Sequence, residues 1–171
     1  VVLDNYYFTS EYQKEIRSRG CKVVFIDDFN HRHYVCDALI NNIPGFNAET
    51  FKKENYTKLY LGIDYALLRK EFLTEKWRNI RKKKNTIFIS FGGSDLYNIS
   101  GKISDFLKKI NDAFEINVLI GEAYKHESAL RDLKGIHIYT NISANEVAFL
   151  MAEAEICIVP ASSLVNEVAC I

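Results

Sequence analysis

The segment Thr86-Ile-Phe-Ile-Ser-Phe-Gly-Gly-Ser-Asp95 decides the fold. Its apolar first half predicts a buried strand, its two glycines predict a tight turn, and the residues after it have helical spacing. Because glycines lack a Cβ, their backbone N–H groups can approach an anion, and a helix start adds a positive dipole. The segment is therefore either a phosphate-binding loop or an ordinary strand-to-helix turn, since a glycine pair alone is a weak motif.

Composition predicts a soluble globular protein with no general affinity for nucleic acid or membranes. The 171 residues are 48% hydrophobic and 26% charged, and 22 basic and 22 acidic side chains give zero formal net charge. No apolar run reaches the roughly 18 residues of a membrane helix. The four cysteines lack C-x-x-C spacing, so we expect reduced thiols and a cytoplasmic protein.

Apolar, strand-like runs alternate with helical patterns, which predicts an α/β fold with parallel sheets covered on both faces. In the first half, the patterns predict helices over residues 11 to 19 and 65 to 72, the second continued by Trp77 and Ile80, and strands over 22 to 27, 36 to 42 and 58 to 62.

A basic run over residues 78 to 85 precedes the Gly-Gly strand. It lacks interleaved aromatic residues, and the chain is otherwise neutral, so a solvated linker is favoured over a nucleic-acid site. We therefore expect one domain over residues 1 to 80, a linker over 81 to 85 and a second domain over 86 to 171.

Polar residues follow the predicted strands of the first half. Asp4, Asn5 and Tyr6 follow the first strand and Asp28 ends the next, where open α/β sheets place ligands. Shaping of the turn is the alternative role for Asp4 and Asn5. The adjoining loop, residues 29 to 34, is a surface loop or a loop over a substrate, because its His-x-His spacing disfavours a metal site.

A second strand-turn-helix pattern lies at Val159-Pro-Ala-Ser-Ser163. Backbone donors and the hydroxyls of Ser162 and Ser163 suit a phosphate, and Glu167, one turn into the helix, suits a ribose diol. Together they suggest a nucleoside diphosphate. The alternative is that Ser162 is only an N-cap and Glu167 only a partner of the helix dipole.

These segments, in order, resemble a known family. They are Val2-Leu-Asp-Asn-Tyr6, Phe25-Ile-Asp-Asp28, Cys36-Asp37, Leu61-Gly-Ile-Asp-Tyr-Ala-Leu-Leu-Arg-Lys-Glu-Phe72, Ser90-Phe-Gly-Gly-Ser-Asp95 and Ser162-Ser-Leu-Val-Asn-Glu167. The chain resembles the UDP-2,4-diacetamido-2,4,6-trideoxy-β-L-altropyranose hydrolases of pseudaminic acid biosynthesis along essentially its whole length. The resemblance implies two Rossmann-like, doubly wound domains of glycosyltransferase-B type, no cofactor, and hydrolytic release of UDP from a UDP-sugar.

The resemblance also implies roles for individual residues. Gly92, Gly93, Ser94 and Asp95 would lie by the sugar and pyrophosphate, Ser162 and Ser163 by phosphate, Glu167 by the ribose, and Thr140, Asn141 and Ile142 by the uracil. Asp4, Asn5 and Asp28 would face the sugar, and Tyr6 would assist the attacking water.

The chain departs from the family at one point. The family's principal catalytic histidine lies in an early glycine-rich loop, which this sequence lacks. We therefore expect a fragment with both domains incomplete and no measurable activity alone. A fused or associated cytidylyltransferase is compatible with the resemblance, as is a monomer or weak oligomer.

Two other functions compete with hydrolysis. A UDP-sugar-dependent glycosyltransferase would use the same turns and replace water by an acceptor. A receiver-like regulatory domain would use the acidic strand end at Asp28, but it needs a further aspartate and a late lysine, and neither has convincing spacing.

Overall fold

A computed structural model describes residues 1–171, except for the side chain of Ala129. The chain forms two compact units, Val1–Leu67 and Leu68–Ile171. Each has its own parallel sheet and its own hydrophobic core.

The first unit is built on a four-stranded parallel sheet. In chain order its elements are β1 (Val2–Asp4), α1 (Ser10–Ser18), β2 (Val24–Ile26), β3 (His33–Tyr34), β4 (Ala38–Asn41), β5 (Lys52–Lys53) and β6 (Lys58–Leu61). The sheet has the order β1-β2-β4-β6, and β3 and β5 form a separate parallel pair. Short 3₁₀ helices cover Ala48–Thr50 and Ile63–Tyr65. The strands predicted over residues 22 to 27, 36 to 42 and 58 to 62 are thus confirmed. Each observed strand is shorter than predicted, by at most two residues at either end.

Helix α1 begins at Ser10, one residue earlier than predicted. The N-cap is Thr9, whose side-chain oxygen accepts a hydrogen bond from the backbone N–H of Tyr12 at 3.2 Å. A capping threonine satisfies one of the free donors of the first turn. The Ser10 hydroxyl instead donates to the backbone carbonyl of His33, so this end of α1 is tied to the 29–34 loop.

The second unit is built on another four-stranded parallel sheet. Its elements are β7 (Lys83–Ile89), α2 (Ile99–Ile110), β8 (Glu115–Leu119), α3 (Glu127–Arg131), β9 (Ile136–Tyr139), α4 (Ala144–Glu153), β10 (Ala154–Ile158) and α5 (Ser163–Cys170). The order is β10-β7-β8-β9. Ser143 and Glu146 form a capping box at the start of α4.

Alternating residues of β7 cover the two faces of this sheet. Phe88 packs in a cluster with Leu150 and Met151 of α4, whereas Ile87 and Ile89 belong to a second cluster that includes Leu130 of α3. Successive side chains of a strand point to opposite faces, so burial of Ile87, Phe88 and Ile89 in succession shows that both faces are covered. The α/β class and the parallel sheets are confirmed; their pairing as a glycosyltransferase-B enzyme stays a prediction.

Two expectations about the middle of the chain are wrong. Residues 65 to 72 do not form an α-helix; short 3₁₀ helices cover Lys70–Leu73 and Glu75–Asn79. Phe72 and Trp77 are buried in the core of the second unit, and that packing overrides the helical spacing. Residues 83 to 85 of the expected linker belong to β7.

The units therefore divide earlier than the composition suggests, between Leu67 and Leu68. Among the residues that the structure describes, no helix combines the length and apolar character needed to cross a membrane.

Candidate functional site

A cavity of about 280 Å³ lies at the carboxyl ends of the strands of the second unit. Strand β7 is the first strand of this unit, and the chain goes from it to β8 and β9 on one side before β10 returns to its other side. Ligands of open α/β sheets bind where the strand order reverses in this way. The residues that line the cavity are Arg69, Ser90, Gly92, Gly93, Leu119, Ile120, Gly121, Asn141, Ile142, Val147 and Leu164.

Gly92, Gly93 and Gly121 all line the cavity, and Gly121 lies directly against the backbone of Gly93. Gly92 has φ of +81°, a conformation that favours glycine. A Cβ at Gly121 would lie 2.4 Å from both Cα and the carbonyl oxygen of Gly93, closer than real side chains come. Two loops of the sheet edge thus meet backbone to backbone, which requires glycine at position 121.

Asp95 follows the Gly-Gly loop and lies four residues before the start of α2 at Ile99. Its side chain is buried, and its Oδ1 and Oδ2 accept the N–H groups of Ile99 and Ser100, each at 2.8 Å. The carboxylate therefore neutralises the positive end of α2, which would otherwise attract a phosphate. Neither Ser94 nor Asp95 lines the cavity. Their predicted contacts with sugar and pyrophosphate stay predictions.

Arg69, which directly precedes the 3₁₀ helix Lys70–Leu73, lines the cavity. The sequence analysis did not predict it as a site residue. Its Nε and Nη2 donate to Oε1 and Oε2 of Glu167, both at 2.7 Å. These hydrogen bonds raise the pKa of the guanidinium above its ordinary value. Glu167 is buried on α5, with 4% of its surface exposed. The carboxylate predicted to bind ribose is thus engaged by an arginine 98 residues away in sequence.

The second small-residue turn lies beside the cavity. Ser162 is the N-cap of α5, and its hydroxyl accepts the N–H of Leu164 at 3.4 Å. The predicted contacts of Ser162 and Ser163 with phosphate stay predictions. Ser162 and Ser163 are exposed and do not line the cavity, although Leu164 does. Strands β7 and β10 are paired at Ile89 and Ile158, so both turns leave the sheet side by side.

The predicted uracil loop contributes directly to the cavity. Asn141 and Ile142 line it, and Asn141 adopts φ of +53°. The Asn141 amide donates to Oε1 of Glu122 at 2.9 Å, which links this loop to the one after β8. The structure thus brings Gly92, Gly93, Asn141 and Ile142 together around one space, with Arg69 added.

In the first unit, the predicted residues lie at the carboxyl edge of its own sheet. The Tyr6 hydroxyl donates to Oδ2 of Asp28 at 3.3 Å, and both side chains are exposed. Partial burial, and then the negative charge of Asp28 and this hydrogen bond, raise the pKa of Tyr6. Tyr6 therefore keeps its proton at neutral pH and is suited to donate or relay a proton. Asp4 is exposed, and Asn5 shapes the turn by accepting the N–H of Tyr7 at 3.0 Å.

The loop after β2 is held by the side chains of Asp27 and Arg32. Buried Asp27 accepts the N–H groups of Phe29 and Asn30 and the hydroxyl of Tyr34, at 2.9, 2.6 and 2.8 Å. Arg32 donates to the carbonyls of Tyr6 and Phe8 at 2.7 and 2.6 Å. The loops that carry Tyr6 and Asp28 are therefore tied together.

The two histidines of this loop have separate partners. His31 contacts Arg32, and His33 contacts Glu54 at 2.8 Å. Within the described part of the chain, no group of three or more histidine, cysteine or acidic residues is arranged to hold a metal ion. An open groove of about 800 Å³ beside α1 contains none of the predicted site residues.

Comparison with known proteins identifies curated relatives of this chain. No protein-family model matches it. The UDP-2,4-diacetamido-2,4,6-trideoxy-beta-L-altropyranose hydrolase of Campylobacter jejuni is 32% identical over 172 residues, which cover 98% of the chain and 61% of that protein. The spore coat polysaccharide biosynthesis protein SpsG of Bacillus subtilis is 27% identical over 169 residues, 95% of the chain and 50% of that protein.

An uncharacterized protein of Methanocaldococcus jannaschii is 31% identical over 173 residues, 92% of the chain and 35% of that protein. The chain thus spans between 35% and 61% of the length of these curated relatives. It is a homologue of the Campylobacter jejuni hydrolase over nearly its whole length, which confirms the resemblance that its motifs carry.

Proposed function

We propose that the protein binds a UDP-linked sugar and releases UDP by hydrolysis, with the nucleotide in the cavity of the second unit. The observation that carries this proposal is the cavity's position and lining. It lies where the strand order reverses, and Gly92, Gly93 and Arg69 form part of its wall. Backbone N–H groups at glycines and a guanidinium are typical phosphate ligands.

The relatives support the sugar part of the proposal. One is by name a UDP-sugar hydrolase and another a polysaccharide biosynthesis protein. For this chain we propose the same broad chemistry, the processing of a nucleotide-activated sugar. The diacetamido-trideoxyhexose and the pathway of pseudaminic acid are the finer part of the proposal.

The proposed reaction breaks the bond between the anomeric carbon and the phosphate oxygen and forms a bond from that carbon to a water oxygen. UDP leaves with increased negative charge on its diphosphate, so groups that hydrogen-bond to that charge favour the transition state. A general base takes the proton of the water. Because Tyr6 retains its proton, its role would be to orient the water or relay the proton to Asp28.

Binding is tested by calorimetric titration of the chain with UDP, ADP and GDP. We expect UDP alone to bind measurably, since the loop at Asn141 and Ile142 would select uracil. Absence of binding by every nucleotide would contradict the proposal. The Campylobacter jejuni hydrolase, titrated in parallel, is the positive control for the nucleotide and buffer.

The type of reaction is tested by incubating the protein with the UDP-sugar. A hydrolase releases UDP and free sugar from the UDP-sugar in buffer alone. A glycosyltransferase of the same fold would release UDP only after an acceptor alcohol is added, and that result would replace hydrolysis by transfer.

A further inference from the structure

A second cavity of the second unit, of about 220 Å³, lies toward the amino ends of its strands, whereas the candidate site lies at their carboxyl ends. We call it the amino-end cavity. Its lining includes three buried side chains, Thr86, Asn117 and Glu153, and three exposed ones, Lys83, Glu115 and His137. The amino-end cavity therefore has a buried polar floor and a mouth of charged side chains.

The floor is polar on a face of the sheet that is otherwise apolar. Asn117 pairs in register with Phe88, and Thr86 lies two residues before Phe88, so all three side chains point to the same face. Phe88 packs on that face in an apolar cluster with Leu150 of α4. A buried polar group among apolar neighbours costs free energy unless it is hydrogen-bonded.

The floor also has unused hydrogen-bonding groups. The Oδ1 of Asn117 accepts the hydroxyl of Tyr139 at 3.4 Å. Among the residues that the structure describes, neither Nδ2 of Asn117 nor the hydroxyl of Thr86 has a hydrogen-bond partner, and both side chains line the cavity. The floor thus offers two amide N–H donors and a hydroxyl to a molecule in the cavity.

The charges of the lining compensate each other in pairs. The Nζ of Lys83 lies 2.7 Å from Oε2 of Glu153, and Nε2 of His137 lies 2.8 Å from Oε2 of Glu115. Each carboxylate keeps its other oxygen as an acceptor. A phosphate would meet two carboxylates without a free cation, and the described residues contain no group arranged to hold a metal ion. The lining therefore favours a neutral ligand that both donates and accepts hydrogen bonds.

An apolar hollow adjoins the polar floor. Tyr139 and Glu153 line the amino-end cavity and also a neighbouring hollow of about 370 Å³, whose walls include Phe149 and Leu150. Phe149 is 43% exposed. A monosaccharide has hydroxyl groups around its edge and C–H groups on its faces, so it matches polar groups that lie beside aromatic surface.

We propose that the amino-end cavity is a second binding site, separate from the nucleotide site, and that its ligand is a neutral monosaccharide. Sugar hydroxyls accept from Nδ2 of Asn117, donate to the free oxygens of Glu115 and Glu153, and exchange either kind of hydrogen bond with Thr86. The C–H face of the sugar packs on the ring of Tyr139. This proposal does not depend on the proposed function.

The test is an NMR titration of the isotope-labelled chain with three neutral sugars, D-glucose, L-rhamnose and N-acetyl-D-glucosamine. Inorganic phosphate is the charged counter-probe. The side-chain amide signals of Asn117 report on the amino-end cavity, and they are identified by their absence from the spectrum of Asn117→Leu. The backbone N–H signals of Gly92 and Gly93 report on the nucleotide site.

Two variants remove the floor groups. Thr86→Val keeps the shape of the side chain and removes its hydroxyl, and Asn117→Leu removes the amide. Because the Thr86 hydroxyl has no partner among the described residues, we expect Thr86→Val to unfold at the same urea concentration as wild type or a higher one. The matched control is Thr74→Val, which removes an exposed hydroxyl of the same unit.

We expect at least one of the sugars to shift the Asn117 side-chain signals saturably, with a dissociation constant of about 1 to 10 mM, since a monosaccharide buries little apolar surface. Thr86→Val should weaken that sugar about 3- to 10-fold, as for loss of one hydrogen bond. Asn117→Leu should abolish the saturable shifts of the other signals around the cavity. Thr74→Val should bind as wild type does, and phosphate should shift none of these signals.

Three results would overturn the inference. The first is that no sugar moves the Asn117 signals, which would leave the cavity to water. The second is that the sugars move only Gly92 and Gly93, which would place them in the nucleotide site. The third is wild-type sugar affinity in Thr86→Val. Because UDP binding is read on separate signals, this inference and the proposed function can each fail alone.

Discussion

At the scale of single residues, the backbone of Gly93 leaves no room for a side chain at position 121. A methyl group at position 121 would meet the backbone of Gly93 at 2.4 Å, and backbone cannot rotate away as a side chain can. We expect Gly121→Ala to displace the Gly92–Gly93 loop and to destabilise the chain by about 1 to 3 kcal/mol, as overpacking does. Urea unfolding measures the loss.

The matched variant is Gly93→Ala. A Cβ at Gly93 meets nothing within 4 Å, and its backbone does not have positive φ. Its unfolding midpoint should therefore stay close to wild type. Equal stability of Gly121→Ala and wild type would show that the two loops do not approach as closely as described.

The sequence predicts some of these residues and not others, for a physical reason. Gly92 and Gly93 are adjacent and follow an apolar run, so a local pattern marks them. Arg69 lies in the cavity wall and pairs with Glu167, which is 98 residues away, and no local pattern connects the two. Gly121 lies in the loop after β8, and its close approach to Gly93 is known only from the structure.

At the scale of elements, Asp95 determines how α2 begins. Its buried carboxylate accepts two backbone N–H groups of the first turn. We expect Asp95→Ala to lower the free energy of unfolding by about 1 to 2 kcal/mol, the usual loss when a capping side chain is removed. Thermal or urea unfolding tests this, with Asp105→Ala on the exposed side of the same helix as control.

UDP affinity of the same variant separates the two roles of Asp95. Loss of UDP binding at unchanged stability would favour the contact with sugar or pyrophosphate predicted from the resemblance. Loss of stability with nearly unchanged UDP binding would identify Asp95 as the cap of α2.

The helix predicted over residues 65 to 72 is absent, although the apolar residues there have helical spacing. The apolar residues recur at helical intervals, yet Phe72 is buried in the core of the second unit and Leu67 and Leu73 are exposed. Helical propensity is weak compared with the burial of a phenylalanine and a tryptophan. The run Ile87–Ile89 of β7 was predictable, because burial on both faces of a sheet makes successive residues of a strand apolar.

At the scale of the whole molecule, the division at Leu67 and Leu68 has a direct test. A chain that starts at Leu68 keeps Phe72 and Trp77, whereas one that starts at Arg81, after the expected first domain, loses both. Each large core side chain contributes about 3 to 5 kcal/mol. We expect the first chain to unfold cooperatively in urea and the second to be unfolded or aggregated.

Cooperative unfolding of the chain that starts at Arg81 would contradict the observed boundary and restore the linker expected from the basic run. Comparing the two by UDP titration adds a second measurement, because only the longer one contains Arg69. The α/β class and the sequence of strands were thus predictable, while the boundary depends on two aromatic residues whose partners lie far along the chain.

The ion pair of Arg69 and Glu167 also has a consequence for the order of folding. It joins residues near the two ends of the unit Leu68–Ile171, with a separation of 98 residues. Contacts between residues far apart in sequence form slowly, because the entropy of the intervening loop is lost before the contact stabilises the fold. During synthesis, Arg69 would leave the ribosome long before Glu167. We therefore expect this wall of the cavity to be completed last, so that nucleotide binding would report a fully folded unit.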